Sequence, residues 1–128
     1  MEILAGRVLL HPRDPEASQR FYRHTLGLGV YREFSGGVVF FLGGGFLEVS
    51  GRGRPDAGTP NLDLWLQVRD VTAEHARLVE AGARVLREPR REPWGLVEMW
   101  VADPDGVRIV IVEVPEDHPL RRDTRSDP

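Results

Sequence analysis

Polar and apolar residues alternate in several short runs of the first half of the chain, and one longer run follows a helical period. Asp14 has the chemistry of an N-cap and Pro15 suits the first helical position, so we expect a helix to begin there. Gly27 ends that helix, because glycine tolerates the backbone conformation found after helix C-termini. The alternating runs are bounded by Gly, Pro and Ser, and they predict strands at residues 3–11, 30–34, 38–42 and 46–50.

The same order of elements returns in the second half, after a linker rich in glycine and proline. Asp70 is a second candidate N-cap, the helical period runs through residues 71–80, and Gly82 follows it. A loop is expected at residues 90–95. The predicted strands cover residues 61–68, 83–87, 96–102 and 107–113.

Side by side, the two halves predict a duplicated βαβββ unit. In each half the helix is followed by glycine and then by a similar strand, at residues 30–33 and 85–88. The predicted fold class is α+β, with two tandem modules that each carry a four-stranded sheet and a helix on one face. The expected division is module one 1–52, linker 53–60, module two 61–115 and charged tail 116–128.

Strand alternation divides the side chains of each sheet between two faces. Aliphatic sets such as Leu64, Leu66 and Val68 are expected to pack on the helices. A mixed set of large aromatic and charged residues falls on the other face: Arg7, Phe46, Glu48, Asp63, Trp65, Gln67, Glu98, Trp100, Arg108 and Val110. Such a surface is typical both of a small-molecule site and of a dimer interface, and alternation alone favours neither.

Composition and charge exclude several classes of partner and site. The formal net charge of −3 gives no electrostatic case for a nucleic-acid partner. The chain has no cysteine, which excludes disulfides, thiolate metal ligands and a cysteine nucleophile. No apolar run approaches the roughly 20 residues of a membrane span, and the first residues lack a signal-peptide pattern. We therefore expect a cytoplasmic protein with neither a nucleic-acid nor a membrane partner.

Two short motifs, together with the duplicated unit, carry a resemblance to a known family. Phe21-Tyr22 is followed by Leu26-Gly27-Leu28, and Asp103-Pro104-Asp105-Gly106 is a turn between the last two strands. Over residues 3–114 the chain resembles the vicinal oxygen chelate superfamily, which includes glyoxalase I, extradiol dioxygenases, fosfomycin-modifying enzymes and bleomycin-resistance proteins. The resemblance implies the glyoxalase/bleomycin resistance fold, in which curled mixed sheets surround a cleft, and it implies a homodimer.

The resemblance also implies four positions for metal ligands, on the first, fourth, fifth and eighth strands. Enzymes of the superfamily place mostly His and Glu there, whereas in this chain the positions fall on Arg7, Glu48, Asp63 and Val110. Guanidinium and isopropyl groups do not coordinate divalent cations, and a catalytic metal needs several protein ligands. We therefore expect no metal and no other cofactor, with Arg7 paired to Glu48 or Asp63 in place of the cation.

Aromatic side chains are the strongest candidates for ligand contact. Phe46, Trp65 and Trp100 lie on the mixed face, and Trp94 lies in the loop beside it. Such rings either stack on a flat ligand or fill a hydrophobic core or a dimer interface. Because the aliphatic sets already supply a core, we favour stacking on a ligand. Glu98 is placed to pair with Arg108 or with a cationic ligand group. The predicted ligand-binding set, with no catalytic residue assigned, is Arg7, Phe46, Glu48, Asp63, Trp65, Trp94, Glu98, Trp100 and Val110.

Three hypotheses of function follow from these features. The favoured one is a metal-independent protein that sequesters a hydrophobic or aromatic compound such as an antibiotic. The second is an enzyme: either a glyoxalase-like lyase or ring-cleaving dioxygenase with a divergent metal site, or a metal-free enzyme with Glu48 or Asp63 as a base. The third is a structural or regulatory dimer module in which the aromatic face is only a subunit interface.

Overall fold

The computed structural model describes residues 1–53 and 60–119, which form two sheets of four strands each. The first sheet has the order β1-β4-β3-β2, with β1 parallel to β4 and the other pairs antiparallel. The elements of this half are β1 Arg7–Leu10, α1 Pro15–Arg20, β2 Val30–Phe34, β3 Gly37–Leu42 and β4 Gly45–Ser50. A single turn of π-helix, Phe21–Thr25, extends α1.

The second sheet repeats this arrangement in the order β5-β8-β7-β6, again with its first pair parallel. Its elements are β5 Asp63–Val68, α2 Val71–Glu80, β6 Arg84–Arg91, β7 Val97–Ala102 and β8 Arg108–Glu113. The predicted α+β class with two βαβββ units is therefore confirmed. Residues 54–59 of the expected linker and residues 120–128 of the expected tail lie outside the described residues.

Both helices begin at the predicted caps. The Asp14 carboxylate accepts a hydrogen bond from the backbone N–H of Ala17 at 3.1 Å, and the Asp70 carboxylate accepts one from Ala73 at 3.0 Å. These bonds satisfy backbone donors that have no partner within the first helical turn. Gly27, with a φ of 83°, follows the π-helical turn. Neither α-helix in the described part of the chain is long and apolar enough to cross a membrane.

The first strand is shorter than the predicted run of residues 3–11. Its only neighbour in the sheet is β4, and the pairing of the two strands begins with Arg7 opposite Phe46. Ile3 and Leu4 therefore have no strand beside them and are exposed to solvent. Their apolar side chains favour a strand in the sequence, but the pairing with β4 begins only at Arg7.

The sixth strand is longer than the predicted run of residues 83–87. It pairs with β7 as far as Arg91 opposite Val97, with irregular register along the way. The loop expected at residues 90–95 is shortened accordingly. The irregular register explains why β6 is longer than predicted. Where the register shifts, polar and apolar residues stop alternating, so the sequence pattern does not show that the strand continues.

One hydrophobic core joins the two modules. Tyr22 and Leu78 of the helical segments are fully buried in it. The helix-facing side chains of both sheets contribute to the same cluster, among them Phe40, Leu47, Val49, Met99, Val101, Ile109 and Ile111. Because both sheets turn this side to the shared core, their opposite sides, here called the outer faces, point away from it.

A buried hydrogen bond joins the two motifs that carry the family resemblance. The Tyr22 hydroxyl donates to the Asp103 carboxylate at 2.7 Å, and the second carboxylate oxygen accepts from the N–H groups of Asp105 and Val107, each at 2.8 Å. Burial is the main cause that raises the pKa of both Tyr22 and Asp103. Gly106, with a φ of 92°, completes the predicted turn. The helical segment of module one is thereby tied to the last hairpin of module two.

Arg77 of α2 makes a second connection between the modules. Its guanidinium donates to the backbone carbonyls of Thr25 at 3.0 Å and Leu26 at 2.9 Å, at the end of the π-helical turn. Glu74, one helical turn earlier, accepts from the same guanidinium at 2.9 Å. A cation at this place satisfies carbonyl groups that a helix end leaves without intrahelical donors.

Candidate functional site

The four positions that the resemblance marks for metal ligands all lie on the outer faces. Strands β1 and β4 bring Arg7 and Glu48 together on the outer face of the first sheet. Strands β5 and β8 place Asp63 and Val110 on the outer face of the second sheet. Each outer face therefore holds two of the four positions.

Arg7 and Glu48 form an ion pair on the first outer face. Arg7 Nη1 donates to Glu48 Oε1 at 2.7 Å, and the guanidinium carbon of Arg7 lies 5.9 Å from the centre of the Phe46 ring. The prediction that Arg7 pairs with Glu48 or Asp63 is confirmed for Glu48. The guanidinium thus places a positive charge beside a carboxylate where the resemblance implies a metal ion.

Asp63 and Arg108 form a corresponding pair on the second outer face. Arg108 donates a hydrogen bond to the Asp63 carboxylate, and this bond is the main cause that lowers the pKa of Asp63 and raises that of Arg108. Both side chains are partly exposed, so water screens the pair and its contribution to stability is small. Arg108 therefore bonds to Asp63, whereas Glu98, expected to pair with Arg108 or with a cationic ligand group, accepts a hydrogen bond from Trp94.

The donor atoms at the four positions do not fit a divalent metal. Only Glu48 and Asp63 carry oxygen ligands, and each carboxylate is bonded to an arginine of its own sheet. Within residues 1–53 and 60–119, no group of three or more His, Cys, Asp or Glu side chains is arranged to hold an ion. A metal ion at the Arg7–Glu48 or the Asp63–Arg108 pair would have to displace the guanidinium. It would then have one carboxylate as its protein ligand, which is too few for a catalytic site.

Phe46 belongs to a cluster of three aromatic rings on the first outer face. Its ring centre lies 4.7 Å from that of Tyr31 and 5.9 Å from that of Phe41. Tyr31 and Phe41 are about half exposed. Neither is among the predicted contact residues, although the alternation of β2 and β3 carries the signal that would have found them. Large rings exposed together are typical of surfaces that meet a ligand or a partner.

Trp100 on the second outer face is already in contact with two arginines. The guanidinium carbons of Arg87 and Arg108 lie 3.8 Å and 4.5 Å from its ring centre. The two arginines come from the strands on either side of β7, and Arg87 is also held by the buried carboxylate of Glu92. A ligand that stacks on Trp100 would have to displace one of these cations, so the ring is less available than its strand position suggests.

Trp65 and Trp94 are the open rings of the second outer face. Both are at least half exposed, and Trp65 makes no ring or hydrogen-bond contact through its side chain with any described residue. Trp94 donates its Nε1–H to Glu98 at 3.0 Å, and its carbonyl lies 3.0 Å from Nε2 of His118. The loop that carries Trp94 is therefore held in place from both sides.

Val110, predicted to contact the ligand, is buried within the chain itself. It packs in a small cluster with Leu96, Val112 and Val114 on the outer side of the second sheet. Loop and C-terminal residues thus cover this end of the face, a contact that strand alternation does not reveal. The open part of the second outer face is the region around Asp63 and Trp65.

The predicted ligand-binding residues consequently fall into two groups, which we call half-sites. The first half-site comprises Arg7, Phe46 and Glu48 with their ring neighbours, and the second comprises Asp63, Trp65, Trp94, Glu98, Trp100 and Val110. No hydrogen bond, ion pair or ring contact joins the two groups within the described residues. One chain alone does not bring them together, because their sheets share the core on the opposite side.

A concave surface also lies elsewhere on the chain. A groove of about 700 Å³ runs between the modules, and among the predicted ligand-binding residues only Trp65 lines it. Gln67, which alternation placed on the mixed face, also lines the groove. The position of this groove depends on how the modules pack, so strand patterns do not indicate it.

Solved structures of several bacterial proteins share this fold. A glyoxalase-related enzyme from Fulvimarina pelagi is 26% identical, with a TM-score of 0.70 over 90% of each chain. A glyoxalase/bleomycin resistance protein/dioxygenase from Nocardioides is 19% identical, with a TM-score of 0.71 over 93% of this chain and 89% of its own. A superfamily member from Sphaerobacter thermophilus is 22% identical, with a TM-score of 0.67 over 88% and 98%.

No functionally curated protein matches the chain. The family model described as Glyoxalase/Bleomycin resistance protein/Dioxygenase superfamily matches residues 5–111. That match runs from before β1 into β8, and it includes the Tyr22–Asp103 connection and all four positions compared above. The chain therefore belongs to the Glyoxalase/Bleomycin resistance protein/Dioxygenase superfamily.

Proposed function

We propose that this protein binds a hydrophobic, aromatic small molecule, such as an antibiotic, without a catalytic metal. The observation that carries the proposal is the ion pair of Arg7 and Glu48, in which a guanidinium lies 2.7 Å from a carboxylate at a position that the resemblance marks for a metal ligand. A positive charge supplied by the chain leaves no open coordination position there. The aromatic surface beside it remains available for a ligand.

The proposed site is completed by a second copy of the chain. A twofold dimer that places the first half-site of one protomer opposite the second half-site of its partner would form two identical sites. The surfaces complement each other in chemistry, since each presents exposed rings next to an internally neutralised acid–arginine pair. Covering these rings removes apolar surface from water, which favours association.

Ligand contacts in this arrangement come from both protomers. Phe46, with its ring neighbours, would meet one side of a flat ligand, and Trp65 and Trp94 of the partner's half-site would meet the other. Glu48 and Asp63 would orient polar groups of the ligand through the arginines they already hold. Antibiotics are the first ligand class to test, because the matching family includes bleomycin-resistance proteins.

Titration of tryptophan fluorescence with a panel of flat aromatic antibiotics tests the proposal. We expect saturable quenching for the unaltered protein, and an affinity lower by about tenfold or more for Phe46→Ala. Phe34→Ala is the matched control, because Phe34 is an exposed ring of the same sheet outside the cluster around Phe46. The absence of saturable quenching across the panel would refute the binding proposal. A dimer whose facing surfaces leave no pocket would favour a purely structural role.

A lyase or dioxygenase is the second candidate, favoured by the glyoxalase-related enzyme from Fulvimarina pelagi among the structural relatives. It requires nickel, zinc, manganese or iron in stoichiometric amount. Elemental analysis of protein purified without an affinity tag, with glyoxalase and ring-cleavage assays in the presence and absence of a chelator, separates the two candidates. Bound metal with chelator-sensitive turnover would replace the proposal above.

A further inference from the structure

The groove between the modules is a second concave surface, which shares Trp65 with the second half-site. One wall consists of the loop after the π-helical turn and the turn between β3 and β4, and the other consists of β5 and α2. Leu26 and Ile111, both buried, contribute to its lining. Its volume of about 700 Å³ lies within the range of known small-molecule sites.

Strand β5 contributes its free edge to the groove. It is the edge strand of its sheet, bonded to β8 on one side, and four consecutive residues from Trp65 to Val68 all line the groove. Consecutive residues of a strand point to opposite faces, so all four line one groove because it runs along the edge of the strand. Backbone N–H and C=O groups at an open edge are available to a polar atom of a ligand.

The charged groups of the groove are already neutralised. The Arg77 guanidinium donates to the Glu74 carboxylate, so these two charges neutralise each other. The same guanidinium donates to the carbonyls of Thr25 and Leu26 at the end of the π-helical turn. The side-chain amide of Gln67, in contrast, has no hydrogen-bond partner among residues 1–53 and 60–119. The groove therefore offers no free counter-charge to a charged ligand. A neutral polar group could form a hydrogen bond with the Gln67 amide.

We propose that this groove binds a neutral, ring-containing apolar molecule that carries one hydrogen-bonding group. Trp65, half exposed at the edge strand, supplies a ring face, and Leu42 and Leu66 on opposite walls supply aliphatic contact. The amide of Gln67 meets the polar group. This site shares Trp65 with the second half-site, but neither Phe46 nor the Arg7–Glu48 pair lines it.

N-phenylnaphthylamine, a neutral aromatic probe that fluoresces more strongly in apolar surroundings, tests the inference on the full chain. Gly44→Trp places an indole on the groove wall; a side chain at Gly44 meets no neighbour within 4 Å and needs no left-handed backbone. Gly6→Trp is the matched control, because Gly6 is equally open and lies outside the groove. Urea unfolding of both variants verifies that stability is retained.

We expect Gly44→Trp to weaken probe binding by about tenfold or more, while Gly6→Trp stays within about twofold of the unaltered protein. Loss of binding in Phe46→Ala alone would overturn the inference and place the probe at the dimer site. No binding at all, or binding that disappears as rising protein concentration drives association, would also overturn it. The last result would assign the groove to a second copy of the chain. Because Gly44→Trp adds a tryptophan that would itself report, the antibiotic titration of the dimer site uses only the unaltered protein, Phe46→Ala and Phe34→Ala.

Discussion

Replacing Tyr22 with Phe removes one buried hydroxyl and tests whether the modules are tied together through it. The hydroxyl donates to Asp103 at 2.7 Å, and the Tyr22 side chain is fully buried. The phenyl ring fills nearly the same volume, so the main cost is a buried carboxylate oxygen that loses its donor. That cost is about 1–3 kcal/mol, a large part of the roughly 5–15 kcal/mol by which domains are stable.

Urea unfolding followed by circular dichroism measures this loss as a lower midpoint with an unchanged slope. For a domain of this size, a loss of about 2 kcal/mol corresponds to a fall of roughly 6–10 °C in Tm. Tyr31→Phe is the matched control, because Tyr31 is about half exposed and its hydroxyl bonds to no described residue. We expect that control to change stability by less than about 0.5 kcal/mol. Equal effects of the two substitutions would refute the reasoning.

The same bond predicts a dependence of stability on alkaline pH. Burial, reinforced by Asp103, raises the pKa of Tyr22 above the usual value near 10. Above that pH the unfolded chain loses this proton while the native chain keeps it, so the free energy of unfolding falls as pH rises. Tyr22→Phe should remove this part of the slope, and Tyr31→Phe should retain it. A slope that is unchanged in Tyr22→Phe would contradict the assignment.

Substitutions at three further positions test other contacts. Arg77→Met should lower the free energy of unfolding by about 1–2 kcal/mol, because two carbonyl groups after the π-helical turn lose their donor; an unchanged urea midpoint would disprove this. Asp14→Ala should cost about 1 kcal/mol through loss of the N-cap, and Asp14→Ser, which can still cap, should recover most of it in the same assay. Arg108 lowers the pKa of Asp63, so its carboxyl should titrate by NMR below the usual range in the unaltered protein and return towards it in Arg108→Met. The small contribution of the Asp63–Arg108 pair to stability is lost as pH falls through the acid range. An Asp63 carboxyl that titrates in the usual range would show that the pair does not form in solution.

Local chemistry explains which parts of the structure could be predicted. The caps at Asp14 and Asp70 and the turn from Asp103 to Gly106 depend on hydrogen bonds between residues two to four positions apart. Bonds between such close neighbours can be predicted from the sequence, and the structure confirms them. The true ends of β1 and β6 depend on where a neighbouring strand begins or changes register, and there the prediction was wrong.

The residue order by itself determined the doubled βαβββ pattern, the division of each strand into two faces, and the placement of Arg7, Glu48, Asp63 and Val110 on the mixed face. Tertiary structure decided that, of the two partners expected for Arg7, it pairs with Glu48, 41 residues away, and that Arg108 bonds to Asp63. The tertiary structure also determines that Val110 is buried, that two guanidinium groups contact the Trp100 ring, and that a groove runs along β5. The physical reason is range: alternation and capping act within a few residues, whereas ion pairs and cavities depend on how two distant modules pack on one core.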